Sequence, residues 1–399
     1  MQSVKRILLL SMSVRLVLDI SMGVFAPYLP VIARGLGVSV AVMGILLSVR
    51  SAFGLTSPVF GALIDRLGAR HILVAGLALL AAGTGILATS PAFALAALAF
   101  GLIGLGQVMF FPALQAYISN QVAYNVRGRI LGAIELSWSI TSIILLPLLG
   151  VIIAATNWRA PFIIIALGSA LSIPAIASLP EERATVQHGL GPVSIGQIWQ
   201  AMSSVLRGNR SGIATVLMTL CMYFAGTNVL LVYGAWLEAQ FGLAVQQIGL
   251  LALILGLADL CGSGLSSAFI DRVGKRRSVL AGIAVSTFAY LILPFGNSSL
   301  LIAMTGLMLM RLGFEFSIVS NISLVSEQAP TQRGAMLSWA GAAGALAGTI
   351  AGVTSSNLWL WRGMPANATL AVGVALIGLY IGLRYVIDAE LQPAGAGLS

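Results

Sequence analysis

Five ionisable residues stand inside long apolar runs of this 399-residue chain: Asp19, Arg50, Asp259, Arg311 and Glu315. Such a residue near the centre of a bilayer costs at least about 2.5 kcal/mol on insertion scales, so each one marks a functional site by default. Counted from charged loop residues at about 1.5 Å per helical residue, Asp19 lies roughly 20 Å from Arg6 and Arg50 roughly 22 Å from Asp65, while Asp259 and Glu315 lie roughly 18 Å from their loop ends. All four depths are mid-membrane. Asp19 and Arg50 fall in adjacent runs and are expected to pair, with Arg15, one helical turn before Asp19, as the rival partner. Arg311 stands one turn before Glu315 and is expected to share a buried cluster with it and Asp259. Two acids against one base leave a carboxyl able to take up a proton.

Other polar and aromatic residues in the same runs complete a candidate lining with amphipathic walls: Gln107, Gln115, Trp138, Tyr223, Asn228, Tyr233, Asn321 and Trp339. Taken singly, each is more often an interhelical hydrogen bond or packing contact than a ligand contact. Glu135 lies only about 9 Å inside Arg129 by helical rise, so it is expected near one end of the bundle rather than at its centre.

The elements that position these groups are membrane helices. Hydrophobic residues make up 58% of the chain and charged residues 8%, against about a quarter charged in soluble domains. Twelve apolar segments of roughly 20 residues are present, each long enough to cross about 30 Å of hydrocarbon. The net charge of +9 does not indicate nucleic acid, because the basic residues are spread singly along short loops. They sort to one side of a membrane only if twelve spans leave both termini cytoplasmic, with Arg34, Arg159 and Arg362 alone on the far side. An integral protein of a bacterial cytoplasmic (inner) membrane is expected. The first run follows Lys5-Arg6 and continues to about Ile32 without a small-residue cleavage site, so it reads as a retained helix. Cys221 and Cys261 lie in spans and read as small apolar packing residues. Pro27, Pro30, Pro58, Pro112 and Pro147 are expected bending points, and Gly344, Gly348 and Gly352 form a small-residue stripe for close helix approach.

The chain is duplicated. Asp65-Arg66-Leu67-Gly68-Ala69-Arg70 returns 206 residues later as Asp271-Arg272-Val273-Gly274-Lys275-Arg276, and Arg127-Gly128 returns at the same offset as Arg333-Gly334. Two landmarks in one register point to two homologous halves, as in many carriers. The expected organisation is an N-terminal six-helix bundle over residues 1–180, a cytoplasmic linker over 181–210 and a C-terminal six-helix bundle over 211–399. Within the linker, Ser194 to Leu206 has apolar residues at helical spacing, which predicts an amphipathic helix on the membrane surface.

With these motifs in view, the chain resembles the major facilitator superfamily along essentially its whole length. The family's loop signature, Gly-x-x-x-Asp-Arg-x-Gly-x-Arg, matches Gly61, Asp65, Arg66, Gly68 and Arg70; the second copy keeps Asp271, Arg272, Gly274 and Arg276, with Ser267 in place of the first Gly. The resemblance implies an all-α membrane protein of twelve helices in two pseudo-symmetric bundles, working by alternating access. It implies that spans 1, 2, 4, 5, 7, 8, 10 and 11 line a central cavity, to which all five mid-membrane charges belong. It also makes the motif residues, with Glu135, a cytoplasmic gate in which Asp65 receives hydrogen bonds and the arginines pair with carboxylates or helix C-termini. Within the family the chain resembles the drug/proton antiporter branch, with degenerate motifs. Phe100 stands where that branch carries an Arg before Gly104-Leu105-Gly106, and Pro147 and Gly150 are what remains of the span 5 signature.

The expected function is therefore secondary active transport of a small organic solute. Proton-coupled efflux is favoured by the acid in span 1, which resembles that of proton-coupled exporters. The alternative is proton-coupled uptake of an organic or inorganic anion, with Arg50 and Arg311 as anion-binding groups from opposite halves. A monomer without cofactor or metal is expected. An enzyme is not: the two histidines, His71 and His188, stand in loops, and the residues offer no nucleophile and base. The chain also has no Gly-x-x-x-x-Gly-Lys-Ser/Thr loop for nucleotide drive.

Overall fold

A computed structural model of the chain describes residues 2–89, 93–122, 130, 134, 136–180 and 195–388, with the side chains of 2–5, 62, 65, 195, 197–199 and 201 left out. Among the described residues the chain is helical and contains no strand. Eleven helices are long and apolar enough to cross a membrane, and a bent pair makes the twelfth. In chain order the spans are Arg6–Gly23 with Phe25–Gly35 (span 1), Val40–Gly61, Ala69–Thr89, Phe93–Gln121, Leu136–Ala155 and Ala160–Ala177 (span 6). The second half contains Arg210–Phe241 (span 7), Val245–Val273, Lys275–Ser298, Leu300–Glu327, Arg333–Arg362 and Met364–Tyr385 (span 12). The expected twelve-helix architecture is the observed one.

The duplicated motif folds the same way twice. Gly68 and Gly274 both take positive φ, 80° and 91°, where a residue with a Cβ would be strained, and each ends one span and begins the next. The arginine two residues on then staples the sixth helix of its own half. Arg70 Nη1 donates to Leu179 O at 2.9 Å, while Arg276 donates from Nε to Gly382 O at 3.1 Å and from Nη2 to Leu383 O at 2.6 Å. Cations at helix C-termini are favoured by the dipole and the freed carbonyls.

Span 1 breaks by 62° at Val24. Pro27 supplies the cause, since a proline in a helix withholds an N–H and crowds the carbonyl four residues back, here that of Gly23. Span 7 interrupts at the equivalent depth, one helix ending at Leu230 and the next starting at Tyr233. Span 5 carries a π-helical turn over Thr141–Leu145 just before Pro147. Pro112 lies within a continuous helix, so it breaks nothing. Cys221 is buried as expected; Cys261 is exposed on span 8 and lies outside the packed interior.

The two halves meet most closely at the end of the bundle away from the Asp-Arg-x-Gly loops. Span 2 packs along span 11, where Ser48 Oγ donates to Thr349 O at 2.6 Å and a Cβ on Gly352 would fall 2.6 Å from Gly44 O. The glycine stripe is thus a packing surface: a Cβ on Gly348 would fall 2.9 Å from Ser51 Oγ. Span 5 packs on span 8, with Gly256 against Ser142, and the outer piece of span 1 packs on that of span 7, with Gly234 against the Ala26 carbonyl. Arg34 pairs with Glu238 at 2.7 Å across the same seam. Tyr28 is fully buried there; its hydroxyl donates to Leu146 O and occupies the slot made by Gly150 and Gly249. Side chains at those glycines would exclude it.

Candidate functional site

In the first half, Asp19 is sealed from solvent (0% exposed). Its Oδ1 lies 2.9 Å from Arg15 Nε and its Oδ2 accepts from Ser137 Oγ of span 5 at 2.6 Å. The expected Asp19–Arg50 pair is replaced by an Arg15–Asp19 pair along one helix face, an i,i+4 arrangement that the span 1 helix enforces. Arg15 in turn lies over the Phe111 ring at 4.3 Å.

Arg50 is turned toward the break in span 1. Its guanidinium sits 4.9 Å above the Phe25 ring and Nη1 reaches Ser21 O at 3.5 Å, a carbonyl at the broken helix end. Gln107 closes the same corner by donating to Ser21 Oγ at 2.9 Å. Among the described residues no carboxylate lies within 4 Å of Arg50. The backbone of Arg50 also approaches span 4 so closely that Gly104 has no room for a Cβ.

In the second half, Arg311 Nη2 and Asp259 Oδ2 form a buried ion pair between spans 10 and 8. Asp259 Oδ1 has no hydrogen-bond partner among the described residues, although the Trp138 side chain, from the first half, lies close enough to interact with this carboxylate. Glu315 accepts from Ser263 Oγ at 3.0 Å and feels the Arg311 charge without contacting it as an ion pair. The expected three-member cluster is therefore an ion pair with a neighbouring acid. Tyr233, buried, faces the pair, and Tyr223 packs edge-on to Phe314 at 5.8 Å. Removing one member of such a buried pair costs about 3–5 kcal/mol, because the other charge is stranded.

The remaining candidates scatter. Asn228 is tied into a polar knot with Ser355 and Asn367, and Asn321 pairs with Thr219 at 3.0 Å. Trp339 donates from Nε1 to Met202 O at 3.0 Å, which docks the helix Ile195–Leu206 against span 11. That short helix is the amphipathic segment expected in the linker. Gln115 is exposed on span 4. At the loop end, Glu135 and the Asp65 side chain lie outside the described residues. Gly61 has open space around a built Cβ, and Arg66, Asp271 and Arg272 are exposed. The second copy of the motif adds contacts that the residues alone did not indicate: Lys275 pairs with Glu327, and Asp388 accepts from the Arg276 backbone N–H at 3.0 Å. Ser137, Ser21 and Tyr28 are the site and seam residues missed by sequence reasoning. None of these carried a signal in the sequence, whereas Arg15 was already marked as the rival partner by its spacing from Asp19.

The family model of the Major Facilitator Superfamily matches residues 12–213 and 215–396. Two MFS-type transporters of Bacillus subtilis (strain 168) are similar in sequence. YwfA is 25% identical over 379 residues, covering 92% of this chain and 91% of its own, and YceJ is 25% identical over 346 residues, covering 86% of each. Among solved structures, a D-xylose-proton symporter superposes with a TM-score of 0.81 at 16% identity, covering 97% of this chain and 99% of its own. The human organic anion transporter MFSD10 (TETRAN) gives 0.71 at 19%, covering 95% and 99%. The nucleoside transporter NupG gives 0.76 at 12%, covering 94% and 98%.

Proposed function

The chain belongs to the Major Facilitator Superfamily and is a secondary transporter, not an enzyme; from that premise we propose that it carries a small organic anion together with protons. The observation that supports this reading is Arg50. Arg15 and Arg311, both buried within the spans, each have an acid, Asp19 and Asp259 respectively, whereas Arg50 faces an aromatic ring and a carbonyl. A guanidinium placed over a ring keeps N–H groups available for a carboxylate. Among the structural neighbours, MFSD10 is an organic anion transporter, which is compatible with this chemistry on the same fold.

Proton coupling falls to Asp259. When an incoming carboxylate engages Arg311, the Asp259 carboxylate loses its cation. In low dielectric it is then favoured as the neutral acid and takes up one proton. Release of the anion restores the Arg311–Asp259 pair and frees the proton. Glu315 is the second candidate on the same side, and Asp19, held by Arg15 and Ser137, serves to fix span 1 to span 5.

Positive-inside sorting puts the Asp-Arg-x-Gly loops in the cytoplasm with both termini, in an inner membrane, with bundles at 1–180 and 211–399 joined by the linker 181–210. The tight seam at the opposite end then corresponds to an inward-facing monomer with its external side closed. Uptake is favoured over efflux, because an interior-negative potential opposes anion entry by about 2.3 kcal/mol per charge per 100 mV, which a co-transported proton cancels. Drug/proton efflux, the reading that leaned on Asp19, is the second possibility. A thermal-shift panel of benzoate, acetate and citrate against glucose and choline tests the substrate class, since a ligand bound to the folded state raises its melting temperature. Stabilisation by choline alone would reject the anion reading.

A further inference from the structure

A groove of about 750 Å³ opens on the outside of the bundle between spans 11 and 12, away from the central charges and lined by Leu358, Trp361, Arg362, Ala366, Gly373 and Ile377 among others. It runs from the ends of the two spans, at Arg362 and Met364, down to Ile377. By helical rise that is about 20 Å, more than the roughly 15 Å of one leaflet in a hydrocarbon core about 30 Å thick. Gly373 is exposed and a Cβ there would meet nothing within 4 Å, so the floor is open. At the mouth, the Arg362 guanidinium lies 4.8 Å over the exposed Trp361 ring and, among the described residues, has no carboxylate within 4 Å.

An apolar channel at least one leaflet deep, ending in a cation with no carboxylate partner among the described residues and an interfacial tryptophan, fits one occupant. We infer that this groove binds an anionic glycerophospholipid, its phosphate on Arg362 and an acyl chain along Gly373 to Ile377. The other end-of-span arginine that sits on a tryptophan makes the contrast. Arg159 lies 4.6 Å over Trp158, but Trp158 is buried against Gly35, whereas Trp361 is exposed. Arg34, the third arginine at this end, is committed to Glu238. An occupant here would brace span 11, the same helix that carries the Gly348 and Gly352 contacts with span 2.

Native mass spectrometry of the full chain extracted from vesicles of equal phosphatidylglycerol and phosphatidylcholine tests this, independently of any transported solute. Wild type is expected to retain phosphatidylglycerol preferentially. Arg362→Gln should reduce that preference about fivefold, the effect of one basic residue at a membrane surface, while Gly373→Leu, which fills the channel, should reduce retention of both lipids. Arg159→Gln is the control and should change neither. Equal retention of both lipids by wild type, or an unchanged preference in Arg362→Gln, would overturn the proposal. So would a dimer that Gly373→Leu dissociates, since the groove would then seat a second copy.

Discussion

Arg15 Nε lies 2.9 Å from Asp19 Oδ1, one turn along the same helix. That pairing satisfies the one acid of span 1 from within its own helix and leaves Arg50, on the neighbouring span, facing the broken helix end. The division separates two roles that would otherwise be merged: a fixed internal pair and an available cation.

Arg50→Gln is expected to weaken binding of an anionic ligand about 10- to 100-fold, the range for loss of hydrogen bonds worth about 1.5–3 kcal/mol to a charged group. Folding should be retained, because Gln can still donate to Ser21 O. Isothermal titration with the anion that gives the largest thermal shift provides the number. Unchanged affinity would remove Arg50 from the binding site.

Asp19→Asn removes the carboxylate from the buried Arg15–Asp19 pair and should destabilise the protein by up to about 3–5 kcal/mol, whereas the double variant Arg15→Gln/Asp19→Asn should recover most of that loss. Thermal unfolding of the two proteins in the same detergent distinguishes this from a transport role. If Asp19→Asn melts like wild type yet loses transport, Asp19 is a coupling residue and the efflux reading gains.

Tyr28→Phe removes one hydrogen bond at the closed end, worth about 0.5–1.5 kcal/mol, while Gly249→Ala intrudes on the slot itself. Both should shift the population toward a state open at that end, Gly249→Ala more than Tyr28→Phe. Spin-label distances between the outer ends of spans 2 and 11 report the shift as a longer component. A distribution identical to wild type for Gly249→Ala would show that the slot does not govern closure.

Gly68→Ala and Gly274→Ala each force a Cβ into positive φ and should cost about 1–3 kcal/mol apiece. The penalties should be similar, since the two loops share their backbone and their arginine staples. Melting temperatures of the two variants check this; a large disparity would break the structural equivalence of the motif copies.

Much of the architecture was legible because its causes are local. Runs of about 20 apolar residues fix span number, and the repeat carrying Gly68 and Gly274 fixes the relation of the halves. The break at Val24 was not read at its true position, because Pro27 was noticed but its effect falls on the turn before it. The Asp19 partner was misassigned because helical rise gives depth, not rotation. Arg50 and Arg15 are both deep enough, and only helix azimuth chooses between them. The same ignorance of azimuth grouped Trp339, which holds Met202 O, and Asn228, which holds span 12, with residues near the Asp259–Arg311 pair. Tyr28 carried no signal at all, since its role depends on Gly150 and Gly249 meeting from different halves.

The central claim is that anion and proton move together through Arg50 and Asp259. Liposomes containing a pH-sensitive dye and the purified protein should acidify when the stabilising anion is added outside. Asp259→Asn should still exchange labelled anion while moving no protons, and Arg50→Gln should do neither. Proton entry in Asp259→Asn equal to wild type, or acidification driven by a cationic solute and not by the anion, would contradict the account.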